Sequence, residues 1–129
     1  MATPQDRGVI SGFVVALAVC LVVMAGLAID SGRLVAARVR ASDHAENVAR
    51  LASQEVSLIR LGIRTIDRER AQTVAQEYFD QNDLDGSILV SHQSVTATVR
   101  IEQDTTLLHL VGIGTRSVAM TRTASLVAG

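Results

Sequence analysis

The sequence has no lysine and no tryptophan, one cysteine, one proline, and only one tyrosine and two phenylalanines among 129 residues. A single thiol excludes an internal disulfide framework and any zinc site built on several cysteines. Aromatics at 2% beside hydrophobic residues at 48% exclude a large aromatic-anchored core and point to a lipid-facing or Ala/Val-rich helical segment. An excess of one charge is missing too: 12 basic residues, all arginine, face 13 acidic ones for a net charge of -1. No polyanion footprint exists, so nucleic acid is not an expected partner. With three histidines (His44, His92, His109) as its remaining chemistry, the chain reads as no self-contained enzyme and no cofactor or metal is expected.

What is present is a long apolar run. Val9 to Ile29 carries no charged side chain and spans roughly 32 Å as a helix, the depth of a bilayer core. Its Val, Ile, Leu and Phe residues supply on the order of -4 to -7 kcal/mol on the insertion scale, with no charge opposing them. A cleaved secretory signal needs a shorter apolar region and a small-residue exit, so the run is read as a retained single-pass anchor in contact with the lipid bilayer. Leu17-Ala18-Val19-Cys20 has the outline of a lipoprotein box, but Val19 stands where a small residue is required and the run continues past the cysteine. Gly8, Gly12, Ala16 and Cys20 recur every fourth residue, a ridge that lets a second transmembrane helix approach closely.

Beyond Asp30 an apolar seam continues in steps of three and four through Leu34, Ala37, Ala41, Ala45, Val48, Ala52, Val56, Ile59, Ile63 and Ile66. Arg38, Arg40, Asp43, Glu46, Arg50, Glu55, Arg60 and Arg64 lie mostly off it and form a solvated face. The seam changes from alanine to branched side chains at Val56, as though one helix served two partners. Unbroken from the apolar run to about Gly62, such a helix is roughly 80 Å long; a kink near Gly26 or between Asp30 and Gly32 is the alternative. Asp30 either caps or pairs with Arg33 locally, or meets an assembly partner.

Asp67 is the expected N-cap of a second helix with Ala71, Val74, Ala75, Tyr78 and Phe79 on one face, ending in the turn-rich 82–86. The period then falls to two: Ile88 and Val90, then Val95, Ala97, Val99 and Ile101 alternating with Thr96, Thr98, Arg100 and Glu102. Asp104 is expected to cap a short helix over 105–111, closed by Gly112 and Gly114, before a last strand around 117–127. The fold class is therefore α+β and pilin-like: a long N-terminal transmembrane and amphipathic helix, a second helix, and a small antiparallel sheet of about three strands. The segments expected are a short N-terminal piece (1–8), a transmembrane helix (9–29), an amphipathic helix (30–66) and a small head (67–129).

Asp6-Arg7-Gly8, the apolar run, and the junction from Ala25 through Asp30-Ser31-Gly32-Arg33 to Arg38 resemble the N-terminal signature of TadE/TadG-like pilus-assembly proteins. The stretch Thr105 to Gly114 followed by Ser117 to Thr121 is similar to the end of that family's head. The resemblance implies a minor pilin or pseudopilin of a Flp-type (tight-adherence) pilus or related secretion system. It also implies a membrane junction at Gly26, Asp30, Gly32 and Arg33, and partners among other pilus subunits, membrane assembly proteins and copies of itself. Gly8 is the candidate processing site, with Phe13 standing where processed members carry glutamate. Arg7 before the run and Arg33, Arg38 and Arg40 after it would place the head in the cytoplasm by charge alone; the resemblance implies an exported head, and that side is the one expected.

The chemical alternatives fit less well. Asp80, Asn82 and Asp85 before Gly86 have the look of a calcium loop, yet Leu84 occupies a ligand position and no acidic twelfth residue follows. Ser91 and His92 are neighbours on a strand, where side chains alternate between faces and cannot share a proton, so with Asp104 they make no nucleophilic set. His44 and His109 have no second ligand at i+4. Against the pilus component stand a membrane-tethered binding or adhesion module and a single-pass regulator with a cytoplasmic head.

Overall fold

The computed structural model describes residues 4–58 and 64–126, with side chains for 7–56 and 64–126. Helix α1, Pro4–Ser53, is a single unbroken α-helix of 50 residues, about 75 Å long. The α-helical assignment runs without a break through Gly26 and through Asp30 to Gly32. Strands β1 (Val56–Leu58) and β2 (Arg64–Ile66) form a small antiparallel pair. Helix α2 (Arg68–Gln81) follows, then β3 (Asp85–Val90), β4 (Ser94–Asp104), a 3-10 turn at Leu108–Val111 and β5 (Thr115–Ser125). The last three strands make an antiparallel sheet in the order β3-β4-β5. The α+β class, the second helix and the three-stranded sheet are as the sequence indicates.

Helix α1 stops short of the expected residue 66. The Gln54 and Glu55 amides tighten onto the Leu51 and Ala52 carbonyls, and Val56 then enters a strand opposite Ile66. The seam spacing puts Val56 and Ile66 along one helix face. They face each other across a hairpin instead, where β-branched side chains pack better than in a helix. Ile59 and Ile63, the other distal seam residues, lie outside the described residues. A second correction concerns 105–111: the helical part is only the 3-10 turn Leu108–Val111, and Asp104 is the last residue of β4, its Oδ1 accepting from Thr115 Oγ1 at 3.0 Å. Gly112 does close the turn, at a left-handed φ of 86° that favours glycine.

The core lies between α1, α2 and the inner face of the sheet. Ala41, Ala45, Val48 and Ala49 of α1 meet Ala75 and Phe79 of α2 and Ala97 and Val99 of β4. Ala37, Ala41, Ala45, Val48 and Ala52 have no exposed surface, whereas Leu34 is half-buried. Alanine every fourth residue brings strand backbone close to helix backbone, so a sheet with almost no aromatic side chains still encloses a dry core. Phe79 is the exception in size: its ring lies against Gly86, where an added Cβ would sit 2.5 Å from the ring edge. Asp67 caps α2 as its position indicates, Oδ1 accepting from the Arg70 amide at 3.2 Å. Arg122, which breaks the apolar alternation of β5, faces α1 and donates to Ser42 Oγ at 3.0 Å.

Candidate functional site

The residues before and after the end of the apolar run behave differently. Over Val9–Ile29 nearly every large side chain is exposed, and only Gly26 is buried. Gly8, Gly12, Ala16 and Cys20 are all exposed, and a Cβ on either glycine would meet open space. This face has no partner among the described residues. From Ala37 onward the seam is filled by the chain's own sheet and α2, so the amphipathic half of α1 spends its apolar face intramolecularly.

Between these regimes lies a cluster built on one end of the β4–β5 hairpin. Strand β4 runs down α1 toward the apolar run: Arg40 Nη2 donates to Gln103 Oε1 at 3.4 Å, Arg33 Nη1 donates to Thr106 Oγ1, and Leu107 rests on Gly26. The contact at Gly26 is so close that an added Cβ would fall 1.2 Å from Leu107 Cδ1. One turn further along α1, Asp30 is only 1% exposed. Its Oδ1 accepts from the Thr106 amide at 2.9 Å, and its Oδ2 from the Leu107 and Leu108 amides at 2.9 and 3.0 Å. The carboxylate thereby satisfies three consecutive N–H groups at the entry to the 3-10 turn, a charge-assisted arrangement stronger than neutral bonds of the same length.

Gly26, Asp30 and Arg33, grouped by sequence as a membrane junction, thus converge on one segment, 106–108. Gly32 does not join them; it is exposed with open space around it. The partner of Asp30 is neither Arg33 nor a local cap but an element 76 to 78 residues away in sequence. Sequence reasoning missed Thr106 and Leu107 in this role. The available signal was a lone acid at the end of a charge-free run and a second charge-free stretch, 105–115, elsewhere in the chain. The neck of that stretch is closed by Thr105, whose amide and hydroxyl both donate to the Gly114 carbonyl, at 2.8 and 2.7 Å.

The Asp30 carboxyl is held below its ordinary value of 3.8, first by the Thr106 amide, then by that of Leu108, with the Leu107 amide and the Arg33 charge acting in the same sense against the cost of burial. A carboxyl lowered in the folded state contributes stability that is complete above its unfolded value. That contribution is lost as pH falls through the lowered native value. The Thr106 and Leu108 amide resonances, followed by NMR in detergent, are therefore expected to titrate with a midpoint below 3.8 and to stop titrating in Asp30→Asn. A midpoint at or above 3.8 would mean that the latch is not charge-assisted.

The candidate catalytic residues are dispersed. Ser91 and His92 lie in the β3–β4 turn, where the His92 carbonyl accepts from the Ile66 amide at 3.1 Å. Asp104 is at the far end of β4, about 30 Å away along the strand. Asp80 accepts from Gln76 at 2.9 Å and Asn82 donates to the Tyr78 carbonyl at 2.9 Å, so the calcium-like stretch is spent on ending α2. Among the described residues no group of three or more His, Cys, Asp or Glu is placed to hold a metal ion. His44 is half-buried, its Nδ1 2.9 Å from the Tyr78 hydroxyl, and joins α1 to α2. His109 is exposed in the 3-10 turn.

Residues 8–55 match a family described as putative Flp pilus-assembly TadE/G-like. The match covers α1 from Gly8 to its end and stops before the sheet, so it includes Gly26, Asp30, Gly32 and Arg33 but not 105–121. No curated protein and no solved structure matches the chain.

Proposed function

We propose that this chain is a structural or assembly component, a minor pilin or pseudopilin, of a Flp-type pilus or related secretion system. It is anchored by α1 in the cytoplasmic membrane, carries its head on the extracytoplasmic side, and acts by helix packing with no chemical step. The observation that carries this reading is that the TadE/G-like match, residues 8–55, falls on the one described helix that is long and apolar enough to cross a membrane. The match supports a Flp pilus-assembly role, and the distribution of burial supports the mechanism.

Because the head occupies the seam, the surfaces left for other subunits or membrane assembly proteins are the apolar run and the outer face of α1. On the run, the Gly8, Gly12, Ala16 and Cys20 ridge suits a second transmembrane helix. Above it, Val35 and Val39 remain 58% and 53% exposed and continue an apolar stripe past the junction. Gly8 is the proposed point of processing. Association through these faces serves a homo-oligomer or a mixed assembly equally.

The test is an immunoblot of the native protein in sheared surface filaments against washed membranes. A filament subunit is recovered in the sheared fraction. Retention solely in membranes would sink the filament-subunit reading and leave an assembly anchor.

A further inference from the structure

Leu110 and Val111 are 77% and 73% exposed, and Ile113, two residues on, is 37% exposed. Single exposed apolar side chains are ordinary on a protein surface, but these three share one turn, and its position sets them apart. The contacts of Gln103 with Arg40, Thr106 with Arg33 and Leu107 with Gly26 show β4 descending toward the apolar run. The 105–114 turn is therefore the end of the head nearest that run. Gly26 lies three residues inside the run that ends at Ile29, a depth of about 4.5 Å along the helix. Leu107 already sits at that level.

The composition and hydrogen bonding of the turn suit the same place. Between Asp104 and Arg116 there is no acidic residue and no arginine. The amides of Thr106, Leu107 and Leu108 are taken by Asp30. Those of Thr105, Leu110, Gly112 and Ile113 bond to the carbonyls of Gly114, Leu107, His109 and Leu108. Seven amides of the turn are thus satisfied within the protein, which lowers the cost of bringing it into a low-dielectric layer.

We infer that the 105–114 turn is a second membrane contact: Leu110 and Val111 insert into the interfacial layer of the leaflet from which α1 emerges, and lipid is the occupant of this apolar tip. The inference rests on the reading of Val9–Ile29 as membrane-spanning and holds for either orientation of the head. With α1 as one attachment and the turn as another, the head, which is built on α1, has its tilt against the membrane plane restricted, and the outer face of α1 is presented to neighbours at that angle. Loosening the Asp30 latch would free both the turn and that angle.

The absence of tryptophan makes the test clean. Leu110→Trp and, as a reference in the middle of the run, Val19→Trp are each placed in the full chain and reconstituted into phosphatidylcholine/phosphatidylglycerol vesicles, with or without bromines at shallow or deep acyl positions. Far-UV circular dichroism matched to the native chain establishes that each variant is folded. Expected are quenching of Val19→Trp mainly by deep bromines, and a blue-shifted Leu110→Trp emission quenched mainly by shallow ones. Water-like, unquenched Leu110→Trp emission beside a quenched Val19→Trp would overturn the inference and leave the anchor standing. A blue shift that escapes bromine and varies with the protein-to-lipid ratio would assign the tip to a second copy, which also overturns it. If neither tryptophan is quenched, the anchor reading itself fails.

Discussion

Phe79→Ala is expected to destabilise the head severely while leaving the apolar half of α1 helical. Phe79 is the one fully buried aromatic side chain, 3% exposed, and it shares a cluster with Ala and Val side chains that Leu84, Ile88, Ile101 and Met120 border. Truncating such a ring typically costs about 3–5 kcal/mol, against a total stability of about 5–15 kcal/mol for a whole domain. A head of this size and composition sits toward the low end of that range. In denaturant melts of the full chain in detergent, the sheet transition should move to much lower denaturant while residual helical signal from α1 persists. Leu89→Ala, at a side chain 77% exposed on the sheet, is the control and should stay within about 0.5 kcal/mol of the native chain. Equal effects from the two variants would mean that the core is not where the structure places it.

The second large effect is expected at Gly26. Any side chain there meets Leu107, with Cδ1, Cγ and Cβ at 1.2, 2.5 and 3.1 Å from the added Cβ. Gly26→Val therefore displaces the hairpin end, draws the Thr106 to Leu108 amides away from Asp30, and costs on the order of 1–3 kcal/mol as an overpacked contact. The explanation is specific to one neighbour, which a double-mutant cycle can test. In the Leu107→Ala background the clash loses its partner atoms, and Gly26→Val should become far less costly. If the valine is as damaging in that background as it is beside the native Leu107, the cost arises within the helix or its membrane environment rather than from docking of the hairpin.

Much of this architecture was legible in the sequence, and the reasons differ by region. The apolar run and the alanine seam to Ala52 repeat at helical spacing over many turns, which leaves little room for another conformation. The alternation of Val95, Ala97 and Val99 with Thr96 and Thr98 similarly reads as one wet and one dry face, and Thr96 and Thr98 do pair on the outer face with Thr123 and Thr121 at 2.8 and 2.9 Å. Past Ala52 the seam misleads because Val56 and Ile66 satisfy a helical count and a hairpin register equally well. Only the tertiary partner decides, and Ile66 finds it with Ala52, Ala71 and Val95.

The junction was half legible. Gly26, Asp30 and Arg33 stand out by position, but their shared partner does not, because a contact across more than seventy residues leaves no local pattern. Asp104 reads as a cap because it precedes the right kind of segment. Asp30 takes that role from another element, since it brings two carboxylate oxygens to three amides that Asp104, tied to Thr115, does not reach.

One uninterrupted helix, long and apolar enough to cross a membrane, is also the spine of the head's core and the surface on which the hairpin end latches. The decisive measurement is hydrogen–deuterium exchange of the full chain in lipid nanodiscs, read at the amides of Gly26–Arg33 and of Thr106–Leu108. Both sets should be protected together, and Asp30→Ala should speed exchange at Thr106–Leu108 by roughly tenfold or more without opening Gly26–Arg33. Fast exchange across Asp30–Gly32 in the native chain would mean a hinge between anchor and head, and would contradict the single-helix architecture.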